Sequence, residues 1–170
     1  MSAEMNLNRI IYATDFSDCC RPALEYATAF AVAENAQLLI VHVDDETPGL
    51  VVGDVGYGYL PEIDRIAQEQ LQQLDEVRPS HPQVAYEHHF LRGEPAEEII
   101  AFAKKVQADL IVIGTHGASG LGRALLGSVA EEIVRKADCP VLTVRAASPR
   151  PVKPPVCQNE RSQQGILHES

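Results

Sequence analysis

The sequence predicts an α/β fold in which a parallel sheet is covered by helices on both faces. Five short apolar runs alternate with four amphipathic helical patterns between residues 9 and 145. Two of the runs, residues 37–43 and 109–113, are almost continuously apolar, which is typical of strands buried on both faces. A regular strand–helix alternation implies parallel strands that are joined by right-handed crossovers.

The individual elements follow from apolar spacing and from proline positions. Pro22 sits where a first helical turn accepts proline, and alanines and a phenylalanine recur after it at helical spacing. Pro79 and Pro82 end the second helical pattern. In chain order, the predicted strands are residues 9–14, 37–43, 84–91, 109–113 and 140–145, and the predicted helices begin at Pro22, Pro61, Pro95 and Ser128.

The pattern predicts one folded domain, residues 1–147, followed by a tail. Residues 148–170 contain four prolines and few apolar residues, so we expect this segment to be disordered. Residues 44–60 have the composition of a loop, with four glycines and Pro48. Two interpretations of this loop stand: a mobile lid over a ligand site, or a disordered connection.

Composition excludes several classes of function. The 170-residue chain has 24 acidic and 14 basic residues and a net charge of −10, which disfavours nucleic acid and anionic lipid as partners. It has no apolar run near the roughly 20 residues of a membrane helix. Residues 1–8 lack the basic and apolar regions of a secretory signal, so we expect a cytoplasmic protein.

The cysteines and paired histidines do not predict a metal site. No CxxC occurs among the four cysteines, and reduced thiols acting as small apolar residues are expected. His88 and His89 are neighbours on a predicted strand, so their side chains point to opposite faces.

The most unusual segment of the sequence lies between the fourth strand and the last helix. Residues 114–128 contain five glycines, and the helix begins directly after them. Backbone N–H groups of such a loop and of the following helix form a concave anion site. Arg123 is the only cation of the segment, so charge neutralisation would rest on backbone dipoles or on a bound Mg²⁺.

The common nucleotide-binding motifs are missing. The chain has no GxxxxGK[ST], which disfavours a P-loop NTPase, and no GxGxxG after the first strand, which disfavours a dinucleotide-binding domain. A phosphorelay receiver would need an acidic cluster and a lysine after the last strand, where the chain has Arg145. From the residues alone, the segment predicts a phosphate-binding loop whose ligand stays open.

Two motifs resemble the universal stress protein family. Residues 10–17, IIYATDFS, resemble its first strand and aspartate, and Gly114-x2-Gly117-x9-Gly127-Ser128 matches the pattern G-x2-G-x9-G-[ST] of its ATP-binding branch. The resemblance covers residues 8–145. It implies a Rossmann-like fold of the adenine nucleotide hydrolase type, with a five-stranded parallel sheet in the order 3-2-1-4-5. Ala13 departs from the family, because many members carry proline there.

The resemblance also implies the site and its ligand, ATP with or without Mg²⁺. Asp15 would hold the ribose hydroxyls, and the backbone of residues 13, 14 and 43 would frame the adenine. The glycines and the start of the last helix would approach the ribose and phosphates. The implied site residues are Ala13, Thr14, Asp15, Val43, Ile113, Gly114, His116, Gly117, Gly127, Ser128 and Val129.

Three of these residues have a second interpretation. Asp15 has the residue type of a helix cap or turn, although Ser17 and Asp18 are equally good caps. Ser128 and Glu131 form a capping-box pattern in which the serine hydroxyl would bond the helix's own N–H. His116 has two equally supported interpretations, a contact to the ligand or a solvent-exposed histidine of the loop.

The resemblance implies an ATP-binding regulatory module of the stress response. Alternatives are a slow ATP hydrolase, or a related scaffold that prefers AMP or a cyclic nucleotide. Because no residue is an evident catalytic base, we expect at most a weak ATPase. Family members commonly pair the last strand with its copy in a second chain, so we expect a homodimer through residues 141–144, three of which are apolar.

Overall fold

The computed structural model describes residues 6–45, 61–115 and 126–145. Its strands are β1 (Arg9–Ala13), β2 (Gln37–Asp44), β3 (Tyr86–Arg92), β4 (Leu110–Gly114) and β5 (Val141–Val144). Its helices are α1 (Arg21–Glu34), α2 (Pro61–Glu76), α3 (Pro95–Val106) and α4 (Ser128–Lys136), and a short 3₁₀ turn, Asp18–Cys20, precedes α1. The predictions for the loop at 46–60, for His116 and Gly117, and for the tail at 148–170 lie outside the described residues.

The five strands form one sheet in the order β3-β2-β1-β4-β5, and every neighbouring pair is parallel. The predicted fold class and strand order are therefore confirmed. β1 lies at the centre, where Ala13 is paired with Val41 on one side and with Ile113 on the other. This register brings the carboxyl ends of β1, β2 and β4 to the same edge of the sheet.

Helices cover both faces of the sheet because alternate strand residues point to opposite sides. On one face, Ile10, Tyr12 and Ile40 pack with residues of α1 and α2. On the other face, Ile11 and Val41 pack with residues of α3 and α4. The side of α1 that meets the sheet carries alanines at every fourth position, and this spacing lets the helix approach closely: Ala23, Ala27 and Ala31.

Element boundaries differ from the predicted ones by one or two residues. β2 continues through Asp44, whose backbone carbonyl accepts a hydrogen bond from Gly93 N at 3.1 Å. β3 begins at Tyr86 rather than at residue 84, and β1 ends at Ala13, one residue early. The predicted helix start at Pro95 is confirmed, and the Glu94 carboxylate accepts from Glu97 N at 2.8 Å and caps α3.

Candidate functional site

A cavity of about 530 Å³ opens at the carboxyl edge of the sheet. Every predicted site residue that the structure describes lies in its wall: Ala13, Thr14, Asp15, Val43, Ile113, Gly114, Gly127, Ser128 and Val129. His116 and Gly117 belong to the part of the chain that the structure does not describe. Residues from distant parts of the chain meet here because parallel strands present their carboxyl ends at one edge.

The end of β1 makes a tight turn into the cavity wall. Thr14 N donates to Val41 O at 3.0 Å, and Thr14 Oγ1 accepts from Phe16 N at 3.0 Å. Phe16 has a φ of 64°, a left-handed conformation that costs a bulky residue about 1–3 kcal/mol. The Phe16 ring lies 4.1 Å from the ring of His42, centroid to centroid, and this contact helps to hold the turn.

His42 secures the same turn from β2. Its Nδ1 lies 2.9 Å from Thr14 O, and because a carbonyl only accepts, Nδ1 carries the proton and donates. His42 is 6% exposed, and its Nε2 is buried without a hydrogen-bond partner among the described residues. A second aromatic ring, that of Phe90, lies 5.7 Å from the imidazole.

Asp15 accepts three hydrogen bonds on one carboxylate oxygen. Its Oδ1 lies 3.1 Å from Ser17 N, 2.6 Å from Ser17 Oγ and 2.9 Å from Cys20 Sγ. The first of these bonds is a side-chain turn of the kind that aspartate favours. Asp15 therefore begins the turn before α1, as one interpretation held, and it also lines the cavity, as the other requires.

Two neutral groups lie behind this carboxylate. Burial, reinforced by the nearby Asp15 charge, raises the pKa of the Cys20 thiol to about 11. Burial also raises the pKa of Tyr12, whose hydroxyl donates to Cys20 O at 3.0 Å. Both groups are therefore protonated donors at neutral pH, and they connect β1 to the start of α1.

The start of α4 forms the opposite wall. Gly127 is the N-cap, with an extended backbone (φ −71°, ψ 158°), and Ser128 is the first helical residue. The predicted capping box is wrong, because Ser128 lies one position too far along to cap the helix, and the N-cap residue is a glycine without a side chain. The Ser128 hydroxyl is therefore not used as a cap.

One backbone bond attaches the start of α4 to Thr115, which follows β4, and a second attaches Thr115 to β5. Gly127 N donates to Thr115 O at 2.6 Å, and Thr115 N donates to Val144 O at 2.9 Å. Ser128, Val129 and Ala130 all line the cavity. The first N–H groups of a helix have no intrahelical acceptor and lie at its positive end, so this wall favours an anion.

The charged side chains of the described cavity wall are both acidic. Asp15 and Asp45 line the cavity, and no lysine or arginine is among the described lining residues. Anion binding here would therefore depend on the α4 N-terminus, on Arg123, which the structure does not describe, or on a bound cation.

Several wall residues were missed by the sequence analysis. Gln70 and Gln73 of α2 lie one helical turn apart and face the cavity, and Gln70 Oε1 is buried without a partner among the described residues. His42 had a sequence signal, since it is a polar residue inside a continuously apolar strand. Cys20 had no such sequence signal, because its contact with Asp15 depends on the turn at Phe16.

His88 and His89 belong to the packing of the domain. His88 Nε2 donates to Val77 O at 2.8 Å, and the ring of His89 lies 4.6 Å from that of Phe102, so the two side chains do face opposite sides. Within the described ranges, no group of three metal-ligating side chains occurs. Among the helices that the structure describes, none has the length and apolarity to span a membrane.

Comparison with known proteins decides the family. The Universal stress protein family matches residues 6–145. This chain belongs to the universal stress protein family. It is 39% identical over 140 residues to Universal stress protein MJ0531 of Methanocaldococcus jannaschii, covering 81% of each chain. It is 36% identical over 146 residues to Universal stress protein YxiE of Bacillus subtilis, covering 81% of this chain and 99% of YxiE.

Solved structures of other universal stress proteins have the same fold. A universal stress protein from Archaeoglobus fulgidus in complex with dAMP has a TM-score of 0.57 and 27% identity, and the match covers 83% of this chain and 99% of that one. A universal stress protein in complex with cAMP has a TM-score of 0.54 and 25% identity, with 84% and 99% covered. Some structural neighbours of this family member therefore bind adenine nucleotides.

Proposed function

We propose that this universal stress protein binds ATP in the cavity at the carboxyl edge of its sheet and acts as a nucleotide-dependent regulatory module of the stress response. One observation carries the proposal: the Asp15 turn and the start of α4, whose N-cap residue is a glycine, face one cavity of about 530 Å³. That volume is within the usual range for small-molecule sites, about 300–1,000 Å³. The complexes of relatives with dAMP and cAMP support an adenine nucleotide as the ligand.

The described residues fit such a ligand in chemistry. The Asp15 carboxylate accepts hydrogen bonds, which suits ribose hydroxyls, and the backbone at Ala13, Thr14 and Val43 provides a wall for the base. The first N–H groups of α4 and the Ser128 hydroxyl suit phosphate oxygens. Gly114, Gly117 and Gly127 match the spacing of the ATP-binding branch, which supports a chain of several phosphates.

Magnesium would be the counter-ion of the phosphates. Asp15 and Asp45 are the charged side chains in the described wall, so a triphosphate would meet negative charge there. Mg²⁺ prefers oxygen ligands and is commonly held by one or two carboxylates together with substrate phosphates. We therefore propose that ATP binds as its magnesium complex.

ATP hydrolysis, if present, would be slow. Phosphoryl transfer needs an oriented water molecule and positive charge on the transferring group. The described wall contributes two carboxylates and no cationic side chain, which supports binding without rapid turnover.

A second candidate ligand is AMP or a cyclic nucleotide. The dAMP and cAMP complexes of relatives favour this alternative, since both ligands carry a single phosphate. AMP would retain the same contacts to base and ribose, whereas a cyclic nucleotide would offer Asp15 only one free ribose hydroxyl.

We also propose that two copies pair through β5. This strand is an edge of the sheet, and edge strands expose backbone groups that can pair with another chain. A pair of β5 strands would join two sheets edge to edge and place one cavity in each copy.

Identification of the bound nucleotide tests the ligand. We expect the purified protein to release about one adenine nucleotide per chain when it is denatured. Liquid chromatography with mass spectrometry identifies the released nucleotide. Phosphate release from added ATP should then be followed over hours. The absence of any nucleotide, together with no thermal shift on addition of ATP or AMP, would refute the binding proposal. Turnover near one per second would refute the proposal of a non-enzymatic module.

A further inference from the structure

The carboxylate of Asp15 is held by the start of α1 rather than by its own strand alone. Ser17 and Cys20 both donate to the same oxygen, Asp15 Oδ1, at 2.6 Å from Oγ and 2.9 Å from Sγ. A free aspartate side chain rotates about two bonds, and fixing these rotations costs conformational entropy. When the protein itself fixes them before the ligand arrives, that cost no longer weakens ligand binding.

Cys20 is held in place by the central strand. The hydroxyl of Tyr12, a buried residue of β1, donates to Cys20 O at 3.0 Å. Cys20 itself is 5% exposed and packs in the core between β1 and α1. The thiol that contacts Asp15 therefore belongs to a residue whose backbone is bonded to the central strand of the sheet.

The thiol is a donor throughout the physiological pH range. Burial raises the pKa of Cys20 to about 11, so its sulfur carries a proton at neutral pH. A carboxylate only accepts, which sets the direction of the bond from Sγ–H to Oδ1. The same raised pKa makes this thiol a poor nucleophile, so its chemistry in this position is hydrogen bonding.

Asp15 and Cys20 line the same cavity. We propose that Cys20, assisted by Ser17, is a positioning residue that presents the Asp15 carboxylate to the ribose hydroxyls of the bound nucleotide. This inference rests on the proposed function and adds to it the group that orients the ribose-binding side chain. A preoriented carboxylate strengthens binding of a ribose with free hydroxyls and has no effect on a sugar that lacks them.

The test compares ATP with 2′,3′-dideoxy-ATP, which lacks both ribose hydroxyls. Dissociation constants of both nucleotides are measured by calorimetry for the wild type, Cys20→Ala, Cys20→Ser and Cys19→Ala. We expect Cys20→Ala to weaken ATP binding roughly fivefold, the factor of one net hydrogen bond, and to leave dideoxy-ATP binding unchanged. Cys20→Ser keeps a donor and should retain the wild-type ratio of the two constants.

Cys19→Ala is the matched control, because Cys19 is the adjacent cysteine and does not line the cavity. It should behave as the wild type. Ser17→Ala removes the second side-chain donor to Asp15 and should produce the same ribose-specific loss. Because Ser17 is less buried than Cys20, this variant provides the test if Cys20→Ala does not fold.

Each outcome has a separate meaning. If Cys20→Ala and Ser17→Ala keep the wild-type ratio, the positioning role is wrong while nucleotide binding stands. If the wild type binds ATP and dideoxy-ATP equally, Asp15 does not contact the ribose, and the inference is wrong for that reason. If the wild type binds neither nucleotide nor AMP, the proposed function itself is wrong, and the inference is refuted with it.

Discussion

At the scale of single residues, the site depends on a turn that local sequence rules describe only in part. An aspartate before a helix suggests a cap, and Asp15 does accept the Ser17 N–H. The left-handed backbone of Phe16 then turns the chain so that Cys20 reaches the same carboxylate. No propensity rule predicts a phenylalanine at a φ of 64°, because the compensation comes from its contact with His42 on another strand.

The raised pKa of Cys20 leads to a prediction about stability and pH. The folded-state pKa of about 11 exceeds the ordinary value of 9.0, so this thiol's contribution is complete below pH 9 and is lost as the pH rises towards 11. Between pH 8 and 10.5 we expect the wild type to lose about 2 kcal/mol more unfolding free energy than Cys20→Ser, which has no thiol to ionise. Urea denaturation at the two pH values measures this difference.

Tyr12 does not confound that comparison. Its pKa is also raised, mainly by burial, and because Tyr12 is present in both proteins the contribution that comes from its burial cancels in the difference. Equal losses in the wild type and in Cys20→Ser would contradict the buried, protonated state of the thiol.

At the scale of elements, β5 shows why an apolar strand does not by itself indicate an interface. Val141 and Leu142 pack against the two opposite core layers of their own domain, and Val144 is 5% exposed. Their apolar character is explained by this packing, so only the exposed backbone edge of β5 favours the proposed homodimer. The backbone bonds to β4 show which residues of this segment face inward. Pro140 O accepts from Ile111 N, and Val144 O accepts from Thr115 N, so the backbone groups of these two residues point towards β4.

Alternate residues of an edge strand direct their backbone groups outward, which identifies Val141 and Thr143 as the pairing positions. We expect Thr143→Pro to convert the proposed homodimer to a monomer, since it removes an outward N–H and leaves the bonds to β4 in place. Thr143→Ala retains that N–H and should stay dimeric. Light scattering after size-exclusion chromatography distinguishes the two, and a monomeric wild type would contradict the pairing.

At the scale of the whole molecule, the fold was predictable and much of the site was not. The continuous apolar runs of β2 and β4 and the proline-marked helix starts are enough to predict a parallel α/β sheet, and the family resemblance adds the strand order. The meeting of Asp15 with Gly114 and Gly127 then follows, because parallel strands share a carboxyl edge. The wall contributed by Gln70, and the bond from Cys20, depend on helix placement and turn geometry, which have no local sequence signal.

The central claim, that this edge of the sheet binds ATP through the glycine segment, is tested most directly by one titration. Calorimetry with ATP and Mg²⁺ is performed on nucleotide-free wild type, on Gly117→Val and on Ala118→Val, a neighbouring substitution at a variable position of the G-x2-G-x9-G-[ST] pattern. We predict one ATP per chain for the wild type and for Ala118→Val, and no binding by Gly117→Val, since a side chain there would occupy the space of a phosphate. Unchanged ATP affinity in Gly117→Val, or no binding by the wild type, would contradict the account.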